Sequence, residues 1–292
     1  MSHKAGFVNI IGRPNVGKSS MMNAILGEKL SIITPKAQTT RHRILGLLNS
    51  DDYQIVFSDT PGILSPSYKL QESMMRAVEG SFEDADVFLY VSESGERNPD
   101  EAIIRKMLGT GVPIIVVVNK IDASSQEQVA GDMIFWQQQF PGAEVIPISA
   151  MHKFNLEKVL DAILSKLPES PAYYDKDDLT DRHMRFIVTE VIREKILLLY
   201  NKEIPYSTEV YIEEYTEEPK IDRIRAIIYV ERDSQKPIII GKGGKMLKKV
   251  GSEARLDLET FLGKKVFLEL NVKVNPDWRN NERMLKQFGY EI

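Results

Sequence analysis

Gly12-Arg13-Pro14-Asn15-Val16-Gly17-Lys18-Ser19 decides how the first half of this 292-residue chain folds. The octet has the pattern G-x-x-x-x-G-K-[ST]. It stands between a short apolar run, Phe7 to Ile11, and a helical stretch, Ser19 to Leu26, that stops at Gly27. Strand, glycine turn and helix in that order make a phosphate cradle, because the glycines let backbone N–H groups curl inward and the helix N-terminus adds partial positive charge. Lys18 would reach the β- and γ-phosphates, and the Ser19 hydroxyl would ligate Mg²⁺. A plain glycine turn would need neither the strand before it nor the helix after it.

Outward from the octet, β-branched runs alternate with helical stretches as far as Leu167. The pattern predicts strands at Phe7 to Ile11, Ile44 to Leu48, Gln54 to Ser58, Val87 to Val91, Ile114 to Asn119 and Val145 to Ile148. Helices are predicted at Ser19 to Leu26, Tyr68 to Phe82, Pro99 to Leu108, Gln126 to Phe140 and Asn155 to Leu167. The runs from Val87 and Ile114 are apolar throughout, which fits central parallel strands buried on both faces. The expected class is therefore α/β, a sheet with helices on both faces. A Pro-rich acidic stretch follows, and we read residues 1–167 as one domain, 168–180 as a linker and 181–292 as a second domain. The second domain opens on a helix from Arg182 to Asn201 and continues with strands at Glu209 to Glu213, Ile224 to Val230 and Val266 to Val274, an α+β pattern.

Composition sets the outer limits. A net charge of −4 excludes a uniformly basic nucleic-acid-coating protein. Without cysteine there is no disulfide framework, thiolate zinc site or cysteine nucleophile, and four scattered histidines argue against a histidine metal cluster. No apolar run approaches the roughly 20 residues of a membrane-spanning helix, and the short N-terminal one precedes a motif that signal cleavage would destroy. A cytoplasmic protein is the expectation. The charge divides along the domain boundary, with 17 basic and 23 acidic groups in residues 1–180 against 21 and 19 in 181–292.

A phosphate cradle serves kinases, ATPases and GTPases alike, so the choice rests further downstream. Asp59-Thr60-Pro61-Gly62 follows a predicted strand, which puts a carboxylate where it can hold Mg²⁺ through water. Gly62 there can offer its N–H to a γ-phosphate and so sense the third phosphate. Asn119-Lys120-Ile121-Asp122 follows the strand from Ile114, at the sheet edge where ligands bind. Asp122 can accept from guanine N1–H and N2–H, whereas adenine presents an acceptor at N1. Lys120 can lie over the base plane, and Ser149-Ala150 can present a backbone N–H to guanine O6.

In that order the motifs resemble the Era-like family of translation-factor-class GTPases, and the resemblance covers nearly the whole chain. It implies a Ras-like P-loop GTPase domain, with a mostly parallel six-stranded sheet, followed by a type II K homology (KH) domain. It carries the nucleotide site onto Gly12 through Ser19 with Ser20, Thr39, Thr40, Asp59, Thr60, Pro61, Gly62, Asn119, Lys120, Asp122, Ser149 and Ala150. Lys18, Thr40, Asp59 and Gly62 would serve hydrolysis, and Thr40, in Gln38-Thr39-Thr40-Arg41-His42, would close on Mg²⁺ and the γ-phosphate. Where other GTPases have a water-orienting glutamine, this chain has Ile63, so hydrolysis needs other help. The resemblance suggests a bound K⁺ with Asn15 as its side-chain ligand; Arg41 and Arg43 are the rivals. Slow intrinsic turnover is expected.

In the second domain, Gly241-Lys242-Gly243-Gly244 holds a G-x-x-G, a pattern that 18 glycines yield about once by chance. Context raises it: Ile238-Ile239-Ile240 precede it, Leu247 and Val250 follow at helical spacing, and Lys242, Lys245, Lys248 and Lys249 fall in a window free of Asp and Glu. That is the KH pattern, whose loop clamps about four nucleotides of single-stranded RNA. Ile239, Ile240 and Leu247 would floor the groove, and Trp278 would either stack on a base or pack inside. The resemblance implies the 3′ end of 16S ribosomal RNA and the maturing small subunit as partners, GTP, GDP and Mg²⁺ as cofactors, and a monomer. Two rival readings are a P-loop phosphotransferase with the second domain as lid, which would phosphorylate a metabolite rather than release phosphate, and a lysine face acting as a peripheral anchor on the cytoplasmic membrane.

Overall fold

The computed structural model describes residues 3–292, so the first two residues of the expected N-terminal domain lie outside it. The chain divides into two compact units. One holds the segment ending at Ser31, Thr40–Ser65 and Met74–Asp181; the other holds Ile32–Thr39, Pro66–Ser73 and Arg182–Ile292.

In the first unit the elements are β1 (Lys4–Ile11), α1 (Lys18–Leu26), β2 (Ile44–Asn49), β3 (Tyr53–Asp59), α2 (Lys69–Gly80, whose first turn belongs to the other unit), β4 (Val87–Glu93), α3 (Glu101–Thr110), β5 (Ile114–Asn119), α4 (Gln126–Gln139), β6 (Glu144–Pro147) and α5 (Leu156–Lys166). The sheet runs β2-β3-β1-β4-β5-β6, with β2 antiparallel to β3 and every other pair parallel. β1 starts three residues before its apolar run because Lys4 to Gly6 extend the ladder against Tyr53 to Ile55. Since β1 lies between β3 and β4, the sheet order reverses at its C-terminal end, the crevice where open α/β sheets bind ligands. The Gly12–Ser19 octet occupies that position. Tyr90, Trp136 and Phe140 form a buried aromatic cluster in the core of this unit, with the Tyr90 ring centroid 5.1 and 4.9 Å from the other two.

The stretch read as a linker runs along β2 and belongs to the first unit. Leu47 N–H donates to the Leu179 carbonyl at 2.9 Å and Thr180 Oγ1 to the Leu45 carbonyl at 2.6 Å. Gln54 Oε1 accepts from the N–H groups of Tyr173 and Tyr174. Edge-strand backbone groups are satisfied here by chain that has no periodicity of its own.

The second unit contains α6 (Met184–Leu199), β7 (Thr208–Glu217), β8 (Ile221–Val230), α7 (Lys236–Ile240), α8 (Lys245–Leu262), β9 (Lys265–Val274) and α9 (Glu282–Gln287). Its sheet is β7-β8-β9, with β7 antiparallel and β9 parallel to β8. β7 runs four residues past its predicted end because a bulge between Ile212 and Glu214 absorbs the consecutive acidic residues that break the alternation. Val188, Ile192 and Ile196 of α6 pack with Ile228, Val250 and Val266 in one core. Among the described residues no helix is long and apolar enough to cross a membrane.

Candidate nucleotide site and nucleic-acid groove

Two glycines make the octet possible by close approach. A Cβ on Gly12 would lie 2.2 Å from the Val91 carbonyl oxygen, and one on Gly17, at φ 98°, would lie 2.2 Å from Asn119 Nδ2. Helix α1 starts at once on Lys18 and ends at Gly27, whose N–H returns to the Asn23 carbonyl. Lys18 is buried, and its Nζ donates to the carbonyls of Gly12 and Arg13, both at 2.9 Å. Burial lowers its pKa to about 8, against the opposing charges of Asp59 and Glu96. Anionic phosphates in the loop would favour the charged form again. Glu96, a carboxyl that burial holds above its ordinary range, escaped the sequence reading because nothing in its local pattern places it near Lys18.

Three oxygens converge beside the loop. Ser19 Oγ donates to Asp59 Oδ2 at 2.6 Å and lies 3.0 Å from Thr40 Oγ1, which is 3.4 Å from the same carboxylate oxygen. Asp59 is fully buried; desolvation raises its pKa, opposed by the Ser19 hydrogen bond and the Lys18 charge. Its other oxygen, Oδ1, is buried without a hydrogen-bond partner. A hard oxygen set with a spare carboxylate oxygen suits Mg²⁺. Thr39 is not brought into this cluster: its hydroxyl bonds the Lys36 carbonyl at 2.6 Å and Thr34 Oγ1 at 2.7 Å. Thr60 Oγ1 donates to the Ile10 carbonyl at 2.6 Å, so it braces β1. Gly62 is hemmed by the octet itself, since a Cβ there would sit 2.6 Å from Pro14 Cα. Pro61 is buried, Ser20 is half-buried on the first turn of α1, and Arg13 and Asn15 are exposed; Arg13 donates to the Asn98 carbonyl at 2.9 Å.

At the end of β5, Asn119 joins two loops. Its Nδ2 donates to the Val16 carbonyl at 2.9 Å and its Oδ1 accepts from the Ala150 N–H at 3.0 Å. That N–H, expected to face a base oxygen, is held by Asn119 in this arrangement. Ser149 Oγ donates to Asp122 Oδ1 at 2.5 Å and is the main cause of the lowered pKa of this exposed carboxylate. Lys120 turns the chain at φ 62°, and its ammonium pairs with Glu93. Arg43 is engaged with both carboxylate oxygens of Asp84 and with Ser58, while Arg41 is buried.

In the second unit Gly241, Gly243 and Gly244 all have positive φ, and Gly241 is closed in by Met246, whose Cβ would lie 2.8 Å from an added methyl. Lys242, Lys245, Lys248 and Lys249 are all exposed. The groove beside this loop is lined by Gly244, Leu247, Lys248, Gly251, Ser252, Arg255, Leu268 and Leu270. Of its α8 members the sequence pointed to Leu247 and Lys248; Gly251, Ser252, Arg255 and the floor from β9 were not read from it. Ile239 is fully buried in the core, and neither it nor Ile240 is among the residues that line the groove. Of the four lysines only Lys248 lines it, and Lys249 sits 3.8 Å from Glu253. Trp278 is buried with its indole N–H on the Ser207 carbonyl at 3.0 Å, which removes it as a stacking platform.

Comparison with known proteins adds three findings. The family described as 50S ribosome-binding GTPase matches residues 7–120, and the KH domain family matches residues 203–279. The chain is 47% identical over 291 residues to GTPase Era of Syntrophus aciditrophicus (strain SB), covering 98% of this chain and 95% of the relative. Two crystal structures match over 99% of the chain and all of theirs at 41% identity: Era in complex with MgGDPNP and nucleotides 1506–1542 of 16S ribosomal RNA, at TM-score 0.96, and a point variant of Aquifex aeolicus Era bound to GDP·AlF4⁻, at 0.95.

Proposed function

This chain belongs to the Era family of GTPases, and from that premise we propose that it is a GTP-binding and GTP-hydrolysing switch that binds the 3′ end of 16S ribosomal RNA and assists maturation of the small ribosomal subunit. The observation that carries the reading is full-length similarity to an Era that holds MgGDPNP and 16S nucleotides together. The description naming the 50S subunit belongs to a family matched by residues 7–120 alone.

Ser19 and Thr40, with Asp59 through water, would hold Mg²⁺, which when bound offsets negative charge on the β- and γ-phosphates. Lys18 and the inward N–H groups of the octet bind the phosphates, and Asp122 selects guanine by accepting two hydrogen bonds from its edge. Asn119 keeps the phosphate and base loops in register. Ile63 has no group that could orient a water, which supports slow intrinsic turnover. Arg43 is committed to Asp84, which favours K⁺ over it as an aid to hydrolysis, with Asn15 as the side-chain ligand. RNA would enter the groove of α8 and β9, with Lys248 and Arg255 facing phosphates and Leu247, Leu268 and Leu270 under the bases. Action as a monomer, and weak contact of the exposed lysines with the inner membrane face, belong to the same proposal; sedimentation and vesicle competition at physiological salt test them.

The deciding experiment measures Mg²⁺-dependent phosphate release from GTP and ATP, together with binding of an oligonucleotide of the 16S 3′ end. A marked guanine preference and RNA binding that outlasts physiological salt are expected. Equal turnover of the two nucleotides, or binding no tighter than to an unrelated strand of equal length, would refute the proposal.

A further inference from the structure

Helix α4 carries a fully buried carboxylate, Asp132, one turn after Gln128 and one turn before Trp136. A charge is costly to bury unless hydrogen bonds replace its water, and here they do. Its Oδ2 accepts from Ser94 Oγ at 2.6 Å and from the Gly95 N–H at 2.9 Å, while Oδ1 accepts from Gln128 Nε2 at 2.9 Å and lies 2.8 Å from Arg97 Nη2. Arg97 is itself seated on α4, with its guanidinium 4.8 Å from the Phe135 ring centroid and Nη1 donating to the Gly131 carbonyl at 3.3 Å. Ser94, Gly95 and Arg97 belong to the turn that follows β4, so one carboxylate holds that turn against α4.

The turn in its turn touches both nucleotide loops of the same unit. The Ser94 N–H donates to the Asn119 carbonyl at 2.9 Å, and the Asn98 carbonyl accepts from Arg13 of the octet at 2.9 Å. Glu93, the last residue of β4 and the register partner of Asn119, pairs with the Lys120 ammonium. That pair does not hold itself in place. Its side chains are 43 and 45% exposed, and an exposed ion pair gains little over water while two long side chains lose freedom. Lys120 also reaches it on a flexible four-carbon stem, from a residue at φ 62°. What gives the pair a fixed geometry is the backbone beneath Glu93, and the two residues that follow Glu93 are the ones pinned by Asp132.

We propose that Asp132 is a positioning residue for the nucleotide base: by pinning Ser94 and Gly95 it sets the Glu93 carboxylate that holds Lys120 along the plane of the guanine. The inference rests on the reading of Lys120 as the residue over the base, and adds to it Asp132 and Glu93, neither of which stands in a nucleotide motif. Asparagine cannot replace Asp132, because its amide would turn N–H groups toward donors that the carboxylate now accepts from.

The test measures affinities for GDP and GDPNP by calorimetry at fixed Mg²⁺, on the whole protein as parent, Asp132→Asn, Glu93→Gln, Lys120→Met and the two double variants that carry Lys120→Met, with melting temperature as the folding control. Asp132→Asn and Glu93→Gln should each weaken binding about three- to fivefold, the scale of an exposed ion pair, and by the same factor for both nucleotides, which share the base. On top of Lys120→Met each should add less than about 1.5-fold, because residues acting as one unit are not additive. A clamp that merely closed a turn would cost affinity whether or not Lys120 were present. A loss undiminished in the Lys120→Met background therefore overturns the inference, as does a loss confined to GDPNP or an affinity that Asp132→Asn leaves unchanged. Should Asp132→Asn fail to fold, Ser94→Ala, which removes one of the donors to the carboxylate, should give about a threefold loss with the same dependence on Lys120, and the absence of that dependence overturns the inference as well. A Lys120→Met variant that bound GDP like the parent would remove Lys120 from the base, and both the base-site reading and this inference would fall with it.

Discussion

Replacing Asn119 by Ala is the most direct probe of how the nucleotide site is held together. The side chain is buried and its two hydrogen bonds end on buried groups, the Val16 carbonyl and the Ala150 N–H. Alanine leaves both without partners, and a buried polar group that loses its partner costs about 1–3 kcal/mol. Both loops carry residues assigned above to the nucleotide, so most of a total of about 2–6 kcal/mol should appear as lost affinity, roughly 30-fold or more. Neither bond involves Ser19, Thr40 or Asp59, so GDP and GDPNP should weaken by the same factor. Calorimetric titration of both nucleotides into parent and variant, with melting temperatures recorded alongside, provides the measurement. Affinities within threefold of the parent for both ligands, or a loss confined to GDPNP, would refute the brace.

Asp122→Asn should move base preference from guanine toward xanthine while Asn119 keeps the loops in register; retained guanine selectivity in competition binding would remove Asp122 from the base site. The Ser149 hydrogen bond holds the Asp122 pKa below its ordinary 3.8, so the carboxylate keeps its charge, and the stabilisation that goes with it, until pH falls through that lowered value. The GDP-over-ADP preference should therefore be flat from pH 8 to pH 5, and a preference fading within that window would contradict the assignment. Changing Lys242 and Lys245 to Glu should spare GTP binding but weaken RNA at least tenfold and flatten its salt dependence, as filter binding at several salt concentrations would reveal. Substituting Na⁺ for K⁺ should slow phosphate release severalfold in a single-turnover assay; equal rates would return attention to the arginines.

What the sequence disclosed about the fold came from periodicity and punctuation. The six strands and five helices of the first unit lie within three residues of their expected ends, because apolar runs, glycines and prolines mark those ends locally. The ligand motifs were equally local, being short words at strand termini. What could not be read was every relation carried by side chains reaching across the chain. Asn119 looked like a base contact, yet its partners stand 103 and 31 residues away. Thr39 shared a doublet with Thr40 but turns to its own loop, and Ile239, with a sequence apt for a groove floor, is consumed by the core. The stretch read as a linker has no periodicity, so nothing in it announced that its backbone groups are spoken for by β2.

The covered edge of β2 governs how the protein behaves in concentrated solution. A free β2 would offer Leu45 and Leu47 as a docking rail for a strand from another molecule, the first step toward amyloid-like stacking. The strap from Tyr173 to Thr180 plugs the rail, and its exposed carboxylates, Asp175, Asp177 and Asp178, disfavour the approach of another copy of this net acidic chain. Nicking this acidic guard would leave every residue of the nucleotide and RNA machinery in place and still make the molecule sticky.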